Sequence, residues 1–401
     1  RIAPRLRGYM ELEFERFREL EIEKKAGPSE GGLELEQTIE GTDSSAIEFE
    51  QAWLEFELAK WLRLRAGQVL VPVGRFNLHH DDNQWDLPRR SLVDRGTPVL
   101  PVKAAWGELG VGFQGDAPVG KTAKVDYQLY VVNGATLDFE FEQKIKTRFP
   151  EASKVVLEGK LQPSTGTFGS DLKDAKAVTG RVALSPFIGH EIGGSFYWGQ
   201  YTPDFLGKEN LWSLALDGRT GWGPFELEGQ YVFTRFEGTA SVARSLARVA
   251  RNKESEFEND DLETEVEFEL ANLARNKSGY WLEGRYRFWP ECLSTTILGS
   301  GFDNPQFVAV LRGEEVWLDG LVKEVAFSGG RLTGFETENR RVDRITAGLA
   351  YRPVPLVAFQ LAYEFTQTNR GKSLANVTNH LPAREREDQA HTVMVGATFG
   401  F

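Results

Sequence analysis

The sequence predicts an all-β fold: a transmembrane antiparallel up-and-down β-barrel of fourteen to sixteen strands, with short periplasmic turns and long extracellular loops. Three observations lead there. Ala390 to Phe401 reads AHTVMVGATFGF, with Val393, Val395, Ala397, Phe399 and Phe401 on one side of an extended strand and Thr392, Met394, Gly396 and Thr398 on the other. A strand ending on such a face leaves a sticky edge in a soluble sheet, whereas a closed barrel pairs that edge and gives the apolar side to lipid. The connections between predicted strands fall into alternating short and long classes. Finally, although 41% of residues are hydrophobic, none of the chain approaches the ~18 consecutive apolar residues a membrane helix needs. A barrel strand shows lipid only every second residue, so that composition suits it.

Taken in order, Gly8 to Phe17 sets Met10, Leu12 and Phe14 against Glu11, Glu13 and Glu15. A polar stretch from Arg18 to Asp43 follows. Ile47 to Leu58 is the second strand, with a slip of phase in its middle that predicts a bulge. It turns at Ala59 and Lys60 into Trp61 to Gln68, where Leu62, Leu64 and Ala66 oppose Arg63 and Arg65. Ala105 to Gln114 and Val125 to Val132 come next, flanked by Gly, Pro, Asn and Asp. Val178 to Leu184 and Ile192 to Tyr201 are joined by a turn carrying Pro186 and Gly189; Trp212 to Gly218 and Phe225 to Phe236 are joined by one carrying Gly221, Gly223 and Pro224. Tyr280 to Phe288, Phe307 to Gly313, Ile345 to Tyr351, Val357 to Phe365 and the terminal strand bring the count to fourteen.

Short connections are expected at 59–60, 116–124, 185–190, 219–224, 289–305 and 352–356, and long ones at 18–45, 69–103, 133–177, 237–278, 314–343 and 366–390, with a modest one at 202–210. Leu262 to Leu270 alternates with Glu263, Glu265, Glu267 and Glu269, so a hairpin there would raise the count to sixteen or extend strands above the membrane. Ser241 to Arg251 spaces Arg244, Arg248 and Arg251 as a small loop helix. With no linker, 1–401 reads as a single domain. Aromatics gather where bilayer interfaces would lie: Trp61, Phe187, Trp222, Phe225, Trp289, Tyr351 and Phe401 by the short turns, Trp198, Tyr201, Tyr231, Phe233, Phe236 and Phe365 toward the long loops.

The formal charge is -12, from 59 acids against 47 bases, which argues against a nucleic-acid partner. One cysteine, Cys292, excludes an intramolecular disulfide or a multi-cysteine metal or haem site, and no cofactor is expected. Arg1 opens without the charged start and apolar core of a leader, as expected of a chain either already processed for export or cytoplasmic, and the strand pattern favours the former.

On the faces opposite lipid, or at strand ends beside them, stand Arg63, Arg65, Glu108, Asp126, Arg181, Glu191, Asp217, Arg219, Glu226, Glu228, Glu283, Arg285, Arg287, Arg312, Arg344 and Glu364. A charge facing lipid near the midplane costs several kcal/mol, so these are expected to line an aqueous lumen. Separate arginine and acidic walls would set a transverse field that orients polar solutes; mixed charges that merely solvate the lumen and pair are the plainer expectation for any one residue. A long loop such as 133–176 is a candidate for folding inward as a constriction. His79-His80-Asp81-Asp82 is the one cluster of metal-ligand type, and adjacent histidines on an extended segment would point apart, so no metal site is expected. No HExxH, GxSxG, phosphate-binding loop or GxGxxG occurs in a fitting context, and the chain is not expected to be an enzyme.

Several segments resemble the phosphate-selective porin family, the outer-membrane porin O and P type. They are Phe49-Glu50-Gln51-Ala52-Trp53, Leu64 to Val69 running to Pro72-Val73-Gly74-Arg75-Phe76-Asn77, Leu87 to Gly96, Val310 to Val316, and Gly348 to Pro353. The resemblance covers the N-terminal quarter and the last hundred residues. It implies a sixteen-strand barrel, a homotrimer, and anions passing an arginine-lined constriction. Only the fold and the general porin role are carried over, because this chain is acidic and shows no regular run of lumen arginines. The expected function is passive diffusion of small hydrophilic or charged solutes through the bacterial outer membrane, with lipid and lipopolysaccharide around the barrel. A barrel sheathing or anchoring a partner protein, and a hydrolase acting at the outer rim, are the alternatives.

Overall fold

The computed structural model describes residues 2–15, 20–29, 32–41, 46–94, 99–145, 152–164, 174–246, 248, 263–270, 273–328, 331–370 and 388–400. In chain order the strands are β1 (Leu6–Glu15), β2 (Leu20–Ser29), β3 (Gly32–Gly41), β4 (Ala46–Ala59), β5 (Leu62–Leu70), β6 (Gly107–Val119), β7 (Ala123–Val132), β8 (Thr136–Ile145), β9 (Ala152–Gln162) and β10 (Ala177–Ser185). They continue as β11 (His190–Gln200), β12 (Asn210–Trp222), β13 (Phe225–Phe236), β14 (Glu263–Leu270), β15 (Ala274–Phe288), β16 (Gln306–Ser328), β17 (Arg331–Val354), β18 (Val357–Thr368) and β19 (Gln389–Phe399). A short helix, α1 (Gly74–Leu78), lies between β5 and β6.

Fourteen of these strands form one antiparallel sheet in the order β1-β4-β5-β6-β7-β10-β11-β12-β13-β15-β16-β17-β18-β19. These are the fourteen predicted from periodicity, each paired with its neighbour in sequence. Among the described residues the sheet contains fourteen strands, where the family resemblance implies sixteen. The acidic stretch at 263–270 adds no hairpin to it: β14 pairs in parallel with β9, and β8 completes that separate three-stranded sheet. The polar stretch after β1 holds a second small sheet, the β2–β3 hairpin. Residues 314–343 are not a loop either. Val316, Leu318, Leu321, Val322, Val325 and Val342 are buried there, and β16 and β17 run on as 23- and 24-residue strands whose pairing continues through three register shifts. Residues 239–246 are helical, as the arginine spacing predicts; Arg251 lies outside the described residues.

One face of the sheet is apolar and exposed: Leu54, Leu129, Val182, Leu216, Leu282, Leu311, Leu361 and Val395 all point away from the charged face, and Val395 is 82% exposed. Water would not tolerate so wide an apolar surface, and lipid would. Trp61, Trp198, Trp222, Phe225 and Tyr231 are exposed on this face as expected. Tyr201 and Phe236 are not girdle residues. They sit on the opposite phase and pack edge to face inside, at 5.2 Å, with the Tyr201 hydroxyl donating to the Glu237 carbonyl at 2.8 Å.

The other face is covered from within by 71–94 and 99–106, the described parts of the connection between β5 and β6. This segment bonds to Glu50 on β4, Ser195 on β11, Glu228 and Gln230 on β13, Arg285 on β15, Glu314 on β16, Arg352 on β17 and Gln360 on β18. One 36-residue stretch touches all of those strands only if the sheet curls around it. Among the described residues it is this earlier connection that lies along the inner face, while the described part of 133–176, one of the loops that were candidates for folding inward, forms the β8–β9 hairpin. The physical reason is composition: Val71, Val73, Phe76, Trp85, Leu92, Val93, Val99, Leu100, Val102 and Trp106 give the earlier loop an apolar core of its own. That core packs on Tyr130, Tyr197, Leu211, Val232, Trp281 and Val316 of the wall, each buried aliphatic contributing roughly 1.5–3 kcal/mol.

Candidate functional site: the charged inner wall

Alternation places Arg181, Asp217, Glu226, Glu228, Glu283, Arg285, Arg312, Arg344 and Glu364 on the inner face, all buried. Arg75, at the start of α1, ties the inward segment into this wall. Its Nε donates to Glu228 at 2.6 Å and its Nη1 to Glu191 at 2.8 Å. Glu191 also receives Arg181 at 3.2 Å, and Arg181 binds Asp217 through both terminal nitrogens, one of them at 2.7 Å. On the other side of Glu228, Arg285 donates to it at 2.7 Å and to Glu226 at 2.6 Å, and pairs with Glu283. Arg219 and Arg287 reach Glu226 at 2.7 and 3.0 Å, and Arg312 donates to Glu283 at 2.6 Å. Ten of the predicted lumen residues thus meet, through Arg75, in one continuous string of alternating charge from β10 to β16: Arg181, Glu191, Asp217, Arg219, Glu226, Glu228, Glu283, Arg285, Arg287 and Arg312.

Gly74 lets that contact form. It holds φ at +72°, and a Cβ there would stand 2.5 Å from the Gln230 amide nitrogen, while its N–H donates to Ser195 at 2.9 Å. The helix start is pressed against the wall.

A second group lies farther along the segment. Arg89 pairs with Glu364, Arg344 approaches the same carboxylate at 3.4 Å, and Arg312 donates to the Arg89 carbonyl at 3.0 Å. Asp86 bridges Arg352 at 2.6 Å and Arg285 at 3.5 Å. Beside them a cavity of about 360 Å³ opens at the short-turn end, lined by Asn83, Gln84, Asp86, Arg287, Asn304 and Arg352 among others.

The third group is on the other wall. Arg65 donates to Glu55 at 2.9 Å and lies 3.6 Å over the Trp53 ring; Arg63 donates to Asp116 at 2.8 Å; Lys124 pairs with Asp126 at 2.7 Å. Exposure separates this wall from the first two groups. Arg7, Arg63, Arg65, Asp116 and Asp126 keep part of their surface open, although their partner Glu55 is buried, whereas Glu226, Glu228, Glu283, Arg285, Arg312, Arg344 and Glu364 on β13 and β15–β18 are buried; Glu191, Arg352 and the short-turn pair Arg219 and Arg287 are more open. Glu108 lines nothing. It is fully buried and accepts from the Trp106 ring nitrogen at 3.0 Å and from the Gly134 and Ser164 amides at 3.2 and 3.1 Å, which fastens the loops around it.

Acids and bases are interleaved at bonding distance, not segregated into opposed walls, so the transverse field expected from separate walls is largely cancelled by pairing. Glu55, Arg75, Asp86, Arg89 and Arg352 carry much of the network and were not among the residues singled out by periodicity. Asp86, Arg75 and Arg89 lie on an irregular segment, where no alternation marks a face. The available signal was Val-Pro-Val-Gly-Arg after β5 and the Asp86 to Arg90 charges set among Trp85, Leu87 and Leu92.

No family model matches the chain. An uncharacterised protein of Aquifex aeolicus (strain VF5) is 25% identical over 338 residues, 82% of this chain, and the chain spans 64% of that protein's length. Among solved structures, the outer-membrane OmpT of Vibrio cholerae aligns over 88% of this chain and 81% of its own at 7% identity and a TM-score of 0.42. The outer membrane channel DcaP of Acinetobacter baumannii aligns over 94% and 83% at 10% identity and a TM-score of 0.42, and a refined porin over 92% and 94% at 12% identity and 0.41. At such scores the likenesses assign no residue and no activity. The strand order, the apolar outer face and the charged inner face by themselves make this chain a membrane-spanning antiparallel β-barrel.

Proposed function

We propose that the chain is a bacterial outer-membrane channel for passive diffusion of small hydrophilic solutes, narrowed by residues 71–106. The observation that carries this reading is the asymmetry of the inner face. On β10, β12, β13 and β15–β18 Arg181, Asp217, Glu228, Glu283, Arg285, Arg312, Arg344 and Glu364 are buried, while on β1 and β5–β7 Arg7, Arg63, Arg65, Asp116 and Asp126 keep access to water. The solute path follows that second wall. Because each base there has an acid partner, the path favours polar or zwitterionic solutes and discriminates weakly between ions. The resemblance to phosphate-selective porins would favour anions; the paired charges support only a slight preference.

Single-channel recording of the detergent-purified chain in a planar bilayer under a salt gradient tests this. Stable ohmic steps are expected, with a reversal potential near zero that moves toward cation selectivity in the Arg63→Ala, Arg65→Ala variant. Absence of steps from a folded, heat-modifiable barrel would refute it. The apolar packing between the inward segment and the wall supports a second reading, a barrel shut at rest that sheathes or anchors a partner, and silence in that recording would favour it.

A further inference from the structure

We propose that Glu50, His80 and Asp81 form a divalent transition-metal site that staples the inward segment to β4, with zinc the best-fitting ion. One ligand atom from each lies within 4.8 Å of the others: His80 Nε2 is 2.6 Å from a Glu50 oxygen and 3.9 Å from Asp81 Oδ1. Imidazole nitrogen with two carboxylate oxygens is a donor set zinc accepts, and a water would complete a tetrahedron.

Proximity is not the whole of the observation, because the surroundings orient the donor atoms. His80 Nδ1 sits 3.0 Å from the Asn77 carbonyl, and donating its hydrogen there aims Nε2 at the cluster. Asn77 is itself fixed: its amide nitrogen donates to the carbonyls of Val71 at 2.7 Å and Trp106 at 3.1 Å, and its oxygen accepts from the Trp106 N–H at 2.7 Å. The second Asp81 oxygen accepts from Gln84 at 2.6 Å, which directs Oδ1 toward His80. Glu50 is brought in by a bulge. In the β1–β4 pairing Gln51 faces Glu11 and Phe49 faces Leu12, so Glu50 is the extra residue, and a bulge re-aims the side chain it carries. His79 is not part of the cluster.

Without metal, Nε2 and the Glu50 carboxylate share a proton; binding M²⁺ releases it to solvent and replaces one hydrogen bond with two coordinate bonds. The site joins residues 30 positions apart, one on the barrel wall and one just after α1, so metal would hold the start of the inward segment in place.

Zinc titration of the full-length, detergent-purified chain by calorimetry, after chelator treatment, tests the proposal. One zinc per chain is expected, with affinity at least ten-fold weaker in Glu50→Gln and in His80→Ala and unchanged in His79→Ala. Cobalt in place of zinc should give visible absorption bands in the wild type that Glu50→Gln shifts. Heat-modifiability on a gel verifies that each variant is folded, and Glu50→Gln preserves shape if His80→Ala does not fold. No zinc bound by the folded wild type, or binding indifferent to Glu50→Gln, would overturn the site and mark any residual zinc as adventitious.

Discussion

Arg75 is the side chain on which the inward segment depends, since it alone joins α1 to carboxylates on both β11 and β13. Replacing it with Met takes one of two arginine partners from buried Glu228, which keeps Arg285, and one from the more open Glu191, which keeps Arg181. Breaking a buried pair of this kind costs about 3 kcal/mol. The expected outcome is a lower urea midpoint for the heat-modifiable form and noisier single-channel steps; an unchanged midpoint would show the pair to be idle. Gly74→Val should act in the same direction, through a Cβ with no room beside Gln230 and a φ that a branched residue resists. At this scale the sequence was legible where a residue sits on a strand. Arg181, Asp217, Glu228, Glu283 and Arg285 alternate with lipid-facing neighbours, and that alone assigned them to the inner face. Arg75, Asp86 and Arg89 were illegible as partners because an irregular segment has no period, and their mates are more than a hundred residues away.

Among the elements, β12 gives the cleanest test of orientation. Leu216 is 64% exposed on the outer face while its neighbour Asp217 is buried against Arg181. Leu216→Arg is expected to cost about 2–4 kcal/mol of stability in a bilayer, read from the denaturant midpoint of refolding into lipid vesicles. A midpoint equal to wild type would mean that this face does not meet lipid. Period-two alternation fixed which strands exist and which way each faces, since a slip of one residue would send Asp217 into lipid. The slip within β4 was visible too, and it is the bulge that turns Glu50 inward. What alternation could not give was where β16 and β17 stop, because polar residues such as Glu324 and Glu336 mark either a loop or a strand that has left the membrane. It also could not choose the inward loop; the apolar content of 71–106, rather than its length, decides that.

At the scale of the whole molecule the barrel is divided: an inward segment held by apolar contacts and ion pairs to β11–β13 and β15–β18, and a wetter stretch on β1 and β5–β7 at Arg7, Arg63, Arg65, Asp116 and Asp126. The proposed path follows from that division, and cysteine accessibility tests it directly. In a Cys292→Ser background, Gln128→Cys would stand on the inner face of β7 and Thr346→Cys on the inner face of β17 beneath the segment. Conductance recorded while a charged methanethiosulfonate is added should fall at once for the β7 variant and stay constant for the β17 variant. The reverse pattern, or a β7 cysteine that reacts without changing the current, would contradict a solute path along that wall.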